Sequence, residues 1–248
     1  MLIFGSANAK LIKLQEKFKR KLYTFSTLSG FCCPYAKDCD SRAIVGDNGK
    51  RTIKDGPHTK FRCFSASQEV LFTNVYESRK KNWDMLLTAK NCPVAMSTMI
   101  QASLPKKASI VRINVAGDFF TKAYFVAWLN AAANNPNVLF YAYTKSLPFW
   151  VWAKNEGIIP DNFILTASYG GYRDDLIDSH KLRFAKVVFS RNEAKNLGLP
   201  IDSDDSHAAD PKKSNESFAL LLHGVQPKGS DASNALKKLK GDGSYGKD

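Results

Sequence analysis

The five cysteines are the residues of this sequence with the most distinctive chemistry: Cys32, Cys33, Cys39, Cys63 and Cys92. The N-terminal stretch lacks the charged start, apolar run and small-residue cleavage site of a signal peptide, and no apolar stretch reaches the roughly 20 residues needed to cross a bilayer. We therefore expect a cytoplasmic protein without a membrane partner. Thiols in a reducing cytoplasm are seldom joined as structural disulfides, and an odd number of cysteines agrees with that. Each thiol is then explained by burial or by a bound metal.

Three of the cysteines have a spacing that suits a metal centre. Thiolates bind iron–sulfur clusters and zinc, and the stretch between Cys33 and Cys39 is short enough for one loop to fold around a cluster. Cys63 follows beyond Asp47-Asn48-Gly49, which predicts a hairpin turn that brings the chain back. We predict that Cys33, Cys39 and Cys63 bind metal. The alternative is that these cysteines are reduced and partly buried without a metal.

The identity of a fourth ligand stays open at this stage. Three cysteines leave one iron of a four-iron cluster open, whereas a structural zinc site uses four ligands. Residues that could supply a fourth ligand are Cys32, Cys92, His58 and Asp38. For Cys92, which stands before Pro93, we rather expect an ordinary buried cysteine.

The elements that must position these residues alternate between strand and helix. Helical patterns at 65–87, 93–102, 148–155 and 191–197, and one following Thr121 as N-cap, separate the strands. The alternation predicts an α/β fold with a parallel (β/α)6-like partial barrel and helices outside. We expect a single domain over residues 1–225, with the cysteine loop at 32–63, followed by a flexible Gly-, Ser- and Lys-rich tail over 226–248. The six predicted strands are 22–28, 110–115, 138–143, 163–167, 184–189 and 218–222.

Polar residues follow several of these strands, where parallel α/β folds build their sites. Lys145 could bind a carboxylate or phosphate, and His223 could be a proton donor or ligand, so both are candidate catalytic residues. Each could equally be structural, Lys145 as a solvated lysine and His223 as a hydrogen-bonded strand-end histidine. Asp118 could bind an ammonium group, act as a base or cap the next helix. The candidate cofactor-binding residues are Gly117, Asp118, Thr144, Ser146 and Ser168.

The net charge limits the classes of binding partner that we expect. The net charge of +13 suits a polyanionic partner such as nucleic acid, although a basic protein can also simply be soluble. Residues 10–22 predict a short basic helix. The motifs of P-loop NTPases, nicotinamide enzymes, zinc proteases and serine hydrolases are missing from the sequence. A possible nucleic-acid face, which could equally be core aromatics beside surface cations, consists of Arg62, Arg79, Lys80 and Lys81 among Phe61, Phe64, Tyr76 and Trp83.

Several residue runs resemble the phage "gene product 88" family over roughly residues 20–246. They are Cys33-Pro-Tyr-Ala-Lys-Asp-Cys39, Phe61-Arg-Cys-Phe-Ser-Ala-Ser-Gln-Glu69, Arg112-Ile-Asn-Val-Ala-Gly-Asp-Phe-Phe120, Tyr141-Ala-Tyr-Thr-Lys-Ser146 and Phe218-Ala-Leu-Leu-Leu-His-Gly224. This resemblance implies a phage-encoded protein at work in the cytoplasm of an infected host cell. It implies no particular activity.

The order of the motifs is also similar, more distantly, to that of radical SAM enzymes. Those enzymes have a (β/α)6 partial barrel, three cluster cysteines after the first strand and a Gly-Gly-Glu-like stretch after the second. The resemblance implies that Cys33, Cys39 and Cys63 bind three irons of a [4Fe-4S] cluster and that S-adenosylmethionine binds the fourth. It further implies that Asp118 contacts the amino group of S-adenosylmethionine, while Lys145 and Ser146 face cofactor or substrate. The usual CxxxCxxC spacing is absent, and Asp replaces Glu.

Two functions follow as expectations. The first is an iron–sulfur protein, which the second resemblance implies to be a radical-SAM-like enzyme, with a substrate that the sequence does not identify. The alternative is a non-enzymatic basic protein that binds nucleic acid or a host protein and uses zinc or a cluster for structure alone.

Overall fold

A computed structural model of the chain describes residues 1–89 and 91–241. The predicted hairpin, basic helix and six strands are all found, with shifts of a few residues at their ends. In chain order the elements are β1 (Phe4–Ser6), α1 (Ala9–Phe18), β2 (Leu22–Phe25), β3 (Ser41–Val45), β4 (Arg51–Asp55), α2 (Phe64–Leu71), α3 (Thr73–Leu87), α4 (Pro93–Ser103), β5 (Ile110–Ile113), α5 (Lys122–Ala133), β6 (Leu139–Thr144), α6 (Leu147–Asn155), β7 (Phe163–Ser168), α7 (Asp175–Ser179), β8 (Phe184–Val188), α8 (Arg191–Asn196), α9 (Ser206–Ala209), β9 (Phe218–Leu221) and α10 (Asp231–Gly241).

Seven strands form one sheet in the order β1-β2-β5-β6-β7-β8-β9. The six strands from β2 to β9 pair in parallel and in sequence order, while β1 pairs antiparallel with β2. Apolar runs such as Phe163–Leu165 suit such strands, because helices cover a parallel sheet on its faces. The α/β prediction is confirmed, and the sheet order is consistent with a partial barrel.

The two faces of the sheet bury separate cores. On one face, Trp128 and Phe125 of α5 pack with Phe140, Phe163 and other outward-facing strand residues. On the opposite face, Leu11 and Leu14 of α1 pack with residues from all six parallel strands and with α9. One cluster can touch all six strands because the sheet curves around it. We call this second side the inner face.

Three features differ from the sequence prediction. The single helix predicted over 65–87 is two helices, because Phe72 between them is extended. Arg51 of the hairpin holds this break: its Nε donates to the Glu69 carbonyl at 2.8 Å and its Nη2 to Thr73 Oγ1 at 2.6 Å. The edge strand β1 was not predicted. The predicted tail contains α10, whose Ala232 and Leu239 are buried, while residues 242–248 lie outside the described residues.

No helix in the described ranges is long and apolar enough to cross a membrane.

Candidate functional site

The cysteine loop leaves β2 and crosses the carboxyl ends of the parallel strands. It touches the loop after β7, where Ala36 bridges Gly171 and the Asp38 N–H donates to the Gly170 carbonyl at 2.9 Å. At its far end it meets the segment after β9. There the Arg62 N–H donates to Gln226 Oε1 at 2.8 Å, and Gln226 Nε2 donates back to the Arg62 carbonyl at 3.2 Å. The loop is therefore held by hydrogen bonds at two places along the carboxyl edge of the sheet, after β7 and after β9.

The thiol of Cys33 lies in the electrostatic field of the other cysteines. Burial is the largest cause that raises its pKa well above the ordinary value, and the nearby charges of Asp118, Cys32, Cys63 and Cys39 raise it further. Groups exert such effects on one another when they are close together in a medium that screens poorly. The three predicted metal ligands thus share one neighbourhood.

Cys63 immediately precedes α2, and its thiol makes no capping hydrogen bond to the helix. Burial and the neighbouring Cys39 raise its pKa to about 11, while the nearby backbone N–H groups of Ala66 and Ser65 at the start of the helix limit the rise. Its own N–H donates to Ser41 Oγ at 3.1 Å. A helix N-terminus stabilises negative charge, so this position suits a thiolate once the proton has left.

The candidates for a fourth ligand occupy different settings. Cys32 is fully buried, and burial raises the pKa of its thiol. The prediction of a buried Cys92 is wrong: its side chain is exposed and its sulfur accepts the Ala95 N–H at the start of α4. Asp38 pairs with Lys60 at 3.0 Å, and His58 is exposed against the Tyr172 ring.

Within residues 1–89 and 91–241, no group of three or more His, Cys, Asp or Glu side chains is arranged to hold a single metal ion. A [4Fe-4S] cluster poses a different geometric requirement, since each cysteine binds a different iron and the sulfurs surround a body larger than one ion. Cys33, Cys39 and Cys63 are free thiols, which are the donors that such a cluster takes.

Asp118 ties the end of β5 to the loop after β6. Its Oδ1 accepts hydrogen bonds from the Thr144 hydroxyl at 2.6 Å and the Phe119 N–H at 2.7 Å, and its Oδ2 accepts the Lys145 N–H at 2.7 Å. Burial raises the pKa of the carboxyl, and these hydrogen bonds oppose the rise. Ser146 completes the link by donating from its hydroxyl to the Phe119 carbonyl at 2.7 Å.

Gly117 must be glycine where it stands. Its φ is +80°, and a Cβ would lie 2.1 Å from Thr27 Oγ1 and 3.3 Å from Cys32 Cβ. The backbone therefore passes directly beneath the cysteine loop. This close approach explains the Gly-Asp pair that the sequence pattern singled out.

Lys145 points along the carboxyl edge toward β7. Its Nζ donates to Ser168 Oγ at 2.6 Å and to the carbonyls of Ser168 and Tyr169 at 3.1 and 3.2 Å. The side chain is buried. Lys145 and Ser168, predicted independently from two strand ends, are thus direct partners.

His223 lies under the other end of the cysteine loop. Its ring packs against that of Phe64, the residue after Cys63, with the ring centroids 5.0 Å apart. Burial lowers the pKa of the imidazole, which favours the neutral form near neutral pH. His223 is therefore placed near the Cys63 end of the site.

Sequence reasoning missed two buried ionic groups. Glu69 accepts hydrogen bonds from the Ser29 N–H and hydroxyl and from Arg79, which joins α2 and α3 to the start of the cysteine loop. On the inner face, Lys10 and Arg112 both pair with Asp205 at 2.6 Å. Arg79 had been assigned to a possible nucleic-acid surface; its side chain is buried, and the amphipathic pattern of α3 gave no sign of that.

The fold is that of an α/β protein whose parallel strands are consistent with a partial barrel, with the cysteine loop at their carboxyl ends. The chain belongs to the Gene product 88 family, which it matches over residues 2–239. The family resemblance read from the sequence motifs is thereby confirmed. Searches of curated proteins and of solved structures gave no match.

Proposed function

We propose that this protein holds an iron–sulfur cluster on Cys33, Cys39 and Cys63 at the carboxyl end of its sheet. The proposal is supported by the electrostatic proximity of these thiols, since Cys63 and Cys39 are among the groups that raise the pKa of Cys33, and Cys39 raises that of Cys63. Two of the ligands lie early in the loop, and the third begins α2. Such a cluster, when bound with one open iron, supplies one-electron chemistry or a site for a ligand.

The other strand-end residues have supporting parts in this proposal. Asp118, Thr144 and Ser146 hold the loops after β5 and β6 against each other, which would keep the floor under the cluster fixed. In the radical-SAM-like form of the proposal, S-adenosylmethionine would be the ligand of the cluster that Cys33, Cys39 and Cys63 would hold. The hydrogen bonds of Asp118 suggest that this residue positions Lys145 rather than contacting the ligand itself. Lys145 and Ser168, beside the loop, and neutral His223, next to Phe64, remain the candidates for contact with a substrate.

The test is anaerobic purification followed by absorbance spectra and iron, sulfide and zinc analysis. Wild-type protein is expected to be brown, and Cys33→Ala, Cys39→Ala or Cys63→Ala is expected to remove nearly all of the iron. Cys92→Ala is the matched control and is expected to keep it, because Cys92 is exposed at the start of α4. Circular dichroism checks that each variant is folded.

A colourless protein with stoichiometric zinc would contradict the iron–sulfur cluster and support the alternative, a structural zinc site. Iron retained by the three alanine variants would show that the ligands are wrong. If the electron paramagnetic resonance spectrum of the reduced, cluster-loaded protein is unchanged by S-adenosylmethionine, the radical-SAM-like form of the proposal fails and the cluster itself remains.

A further inference from the structure

A group of cations lies at the amino end of the sheet, opposite the cysteine loop. Lys19, Arg20 and Lys21 directly precede β2, and Lys106 and Lys107 lie before β5, separated from it by two residues. Because β2 and β5 pair in parallel, the segments that lead into these two strands lie at the same edge of the sheet. The two segments are in contact, since the Lys21 carbonyl accepts the N–H groups of Ser109 and Ile110 at 2.9 and 3.0 Å. We call these five residues the amino-end basic patch.

Arg20 fixes the patch in place. Its Nη2 donates to the Ser109 carbonyl at 2.6 Å and to the Asn137 carbonyl at 3.1 Å, so that the approaches to β2, β5 and β6 are joined. Lys19 is in the left-handed conformation that ends α1, with φ at 51°, which turns the chain from the helix into β2. The four lysines are exposed on this rigid support.

The acids nearest to the patch in sequence leave its charge positive. Residues 17–22, 104–110 and 133–139, which form the three segments leading into the strands, contain no Asp or Glu, and Glu16 of α1 lies three residues before Lys19. Among the described ion pairs none involves a patch residue, whereas other cations pair with acids, as Lys17 does with Asp204 and Arg62 with Asp55. The patch is therefore a site of net positive charge.

We propose that the amino-end basic patch binds the phosphate backbone of duplex nucleic acid. Clustered lysines neutralise phosphates and release counterions, which gives sequence-independent affinity. Single strands are usually held by stacking on exposed aromatic rings, and the one aromatic ring in the three stretches, Phe18, packs against the inner core. An interfacial membrane helix needs an outward apolar face, but Leu11 and Leu14 of α1 are buried.

The test compares two charge-matched triple variants of the full chain. Lys21→Gln/Lys106→Gln/Lys107→Gln removes three charges from the patch, and Lys50→Gln/Lys54→Gln/Lys195→Gln removes three exposed charges from the hairpin and α8. Binding of a fluorescent duplex DNA of random sequence is followed by anisotropy across a salt series. The patch variant is expected to flatten the slope of log K against log salt by about 2.7, at about 0.9 for each phosphate that is no longer neutralised, and to weaken binding at low salt at least about tenfold.

The proposal is supported if the control variant keeps the wild-type affinity and salt slope while the patch variant binds more weakly and has a flatter salt slope. Equal losses in the two variants would mean that net charge alone attracts DNA, and absence of salt-dependent binding by the wild type would remove the proposal. The duplex proposal would be overturned by a preference for single-stranded DNA. It would also be overturned by patch-dependent binding to phosphatidylserine vesicles without binding to duplex. Melting temperatures of both variants show whether they are folded.

Discussion

The thiols of the cysteine loop are the residues on which the proposed chemistry depends. Burial keeps Cys33 and Cys63 protonated near neutral pH, since it raises both pKa values. Metal binding needs thiolates, so loading the site must release protons. In the absence of metal these sulfurs are therefore expected to be weakly reactive near neutral pH.

The raised pKa of about 11 for Cys63 has a direct consequence for its reactivity. In metal-free protein, its alkylation by iodoacetamide is expected to rise about tenfold for each pH unit between about pH 8 and pH 10, because only the thiolate reacts. Peptide mass spectrometry measures the rate, with exposed Cys92 followed in the same sample as the internal control. A rate that levels off near pH 8.5, as for an ordinary free thiol, would contradict the assigned environment.

Residue identities gave good guidance on the hairpin within the cysteine loop and poor guidance on the burial of Cys92. The short interval from Cys33 to Cys39 and the Asp47-Asn48-Gly49 turn are local features, so they could be read from the sequence. Exposure of Cys92 depends on where α4 packs, which a local pattern does not contain. The partnership of Lys145 with Ser168 likewise depends on the pairing of β6 with β7.

At the scale of elements, α2 and α3 are joined to the cysteine loop by a buried ion pair. Arg79 Nη1 lies 3.0 Å from Glu69 Oε1 and also donates to the Ser65 carbonyl at 2.9 Å. The same carboxylate receives the Ser29 N–H. The pair therefore sets the start of the loop relative to the helix that Cys63 precedes.

Removal of one member of this pair should be costly. Arg79→Met leaves the Glu69 carboxylate buried without its cation and is expected to lower the free energy of unfolding by about 3 to 5 kcal/mol. Urea denaturation measures it, and Lys81→Ala, at an exposed position of the same helix, should change stability by less than about 0.5 kcal/mol. The double variant Glu69→Gln/Arg79→Met should recover part of the loss. A small effect of Arg79→Met alone would show that the loop is held by other contacts.

At the scale of the whole molecule, strand and helix alternation was sufficient to predict the parallel sheet. The βαβ unit formed by β5, α5 and β6 has strong periodicity and a Thr121 cap, and the structure has both. The placement of α1 on the inner face could not be predicted from the sequence, because a basic helix with two leucines on one side can pack on many surfaces. The acidic segment that carries Asp205 gave no sign that it turns inward to meet Lys10 and Arg112.

This inner ionic group gives the fold a dependence on acid. Burial alone would raise the pKa of the Asp205 carboxyl, but Arg112 and Lys10 lower it from its ordinary 3.8 to about 2. A carboxyl with a lowered pKa in the folded state stabilises the protein above the unfolded pKa, by roughly 2 to 3 kcal/mol here, and this contribution is lost as pH falls from about 4 to about 2.

Asp205→Asn tests the assignment, and asparagine tolerates the left-handed φ of 64° at this position. The variant is expected to be less stable than wild type at neutral pH and to show a smaller decline in stability over the acid range. Chemical denaturation at a series of pH values measures both. A decline with the same slope in the two proteins would show that other carboxyls cause the acid sensitivity.

The fastening of the cysteine loop has one more consequence. Strands β2 and β9 stand at the two ends of the parallel run and share no hydrogen bonds with each other. The loop that starts after β2 reaches Gln226 beyond β9. It therefore links these two strands, which no backbone hydrogen bonds join directly. A group bound to the thiols of this loop, as proposed, would therefore also stiffen the connection between the two outer strands of the parallel run.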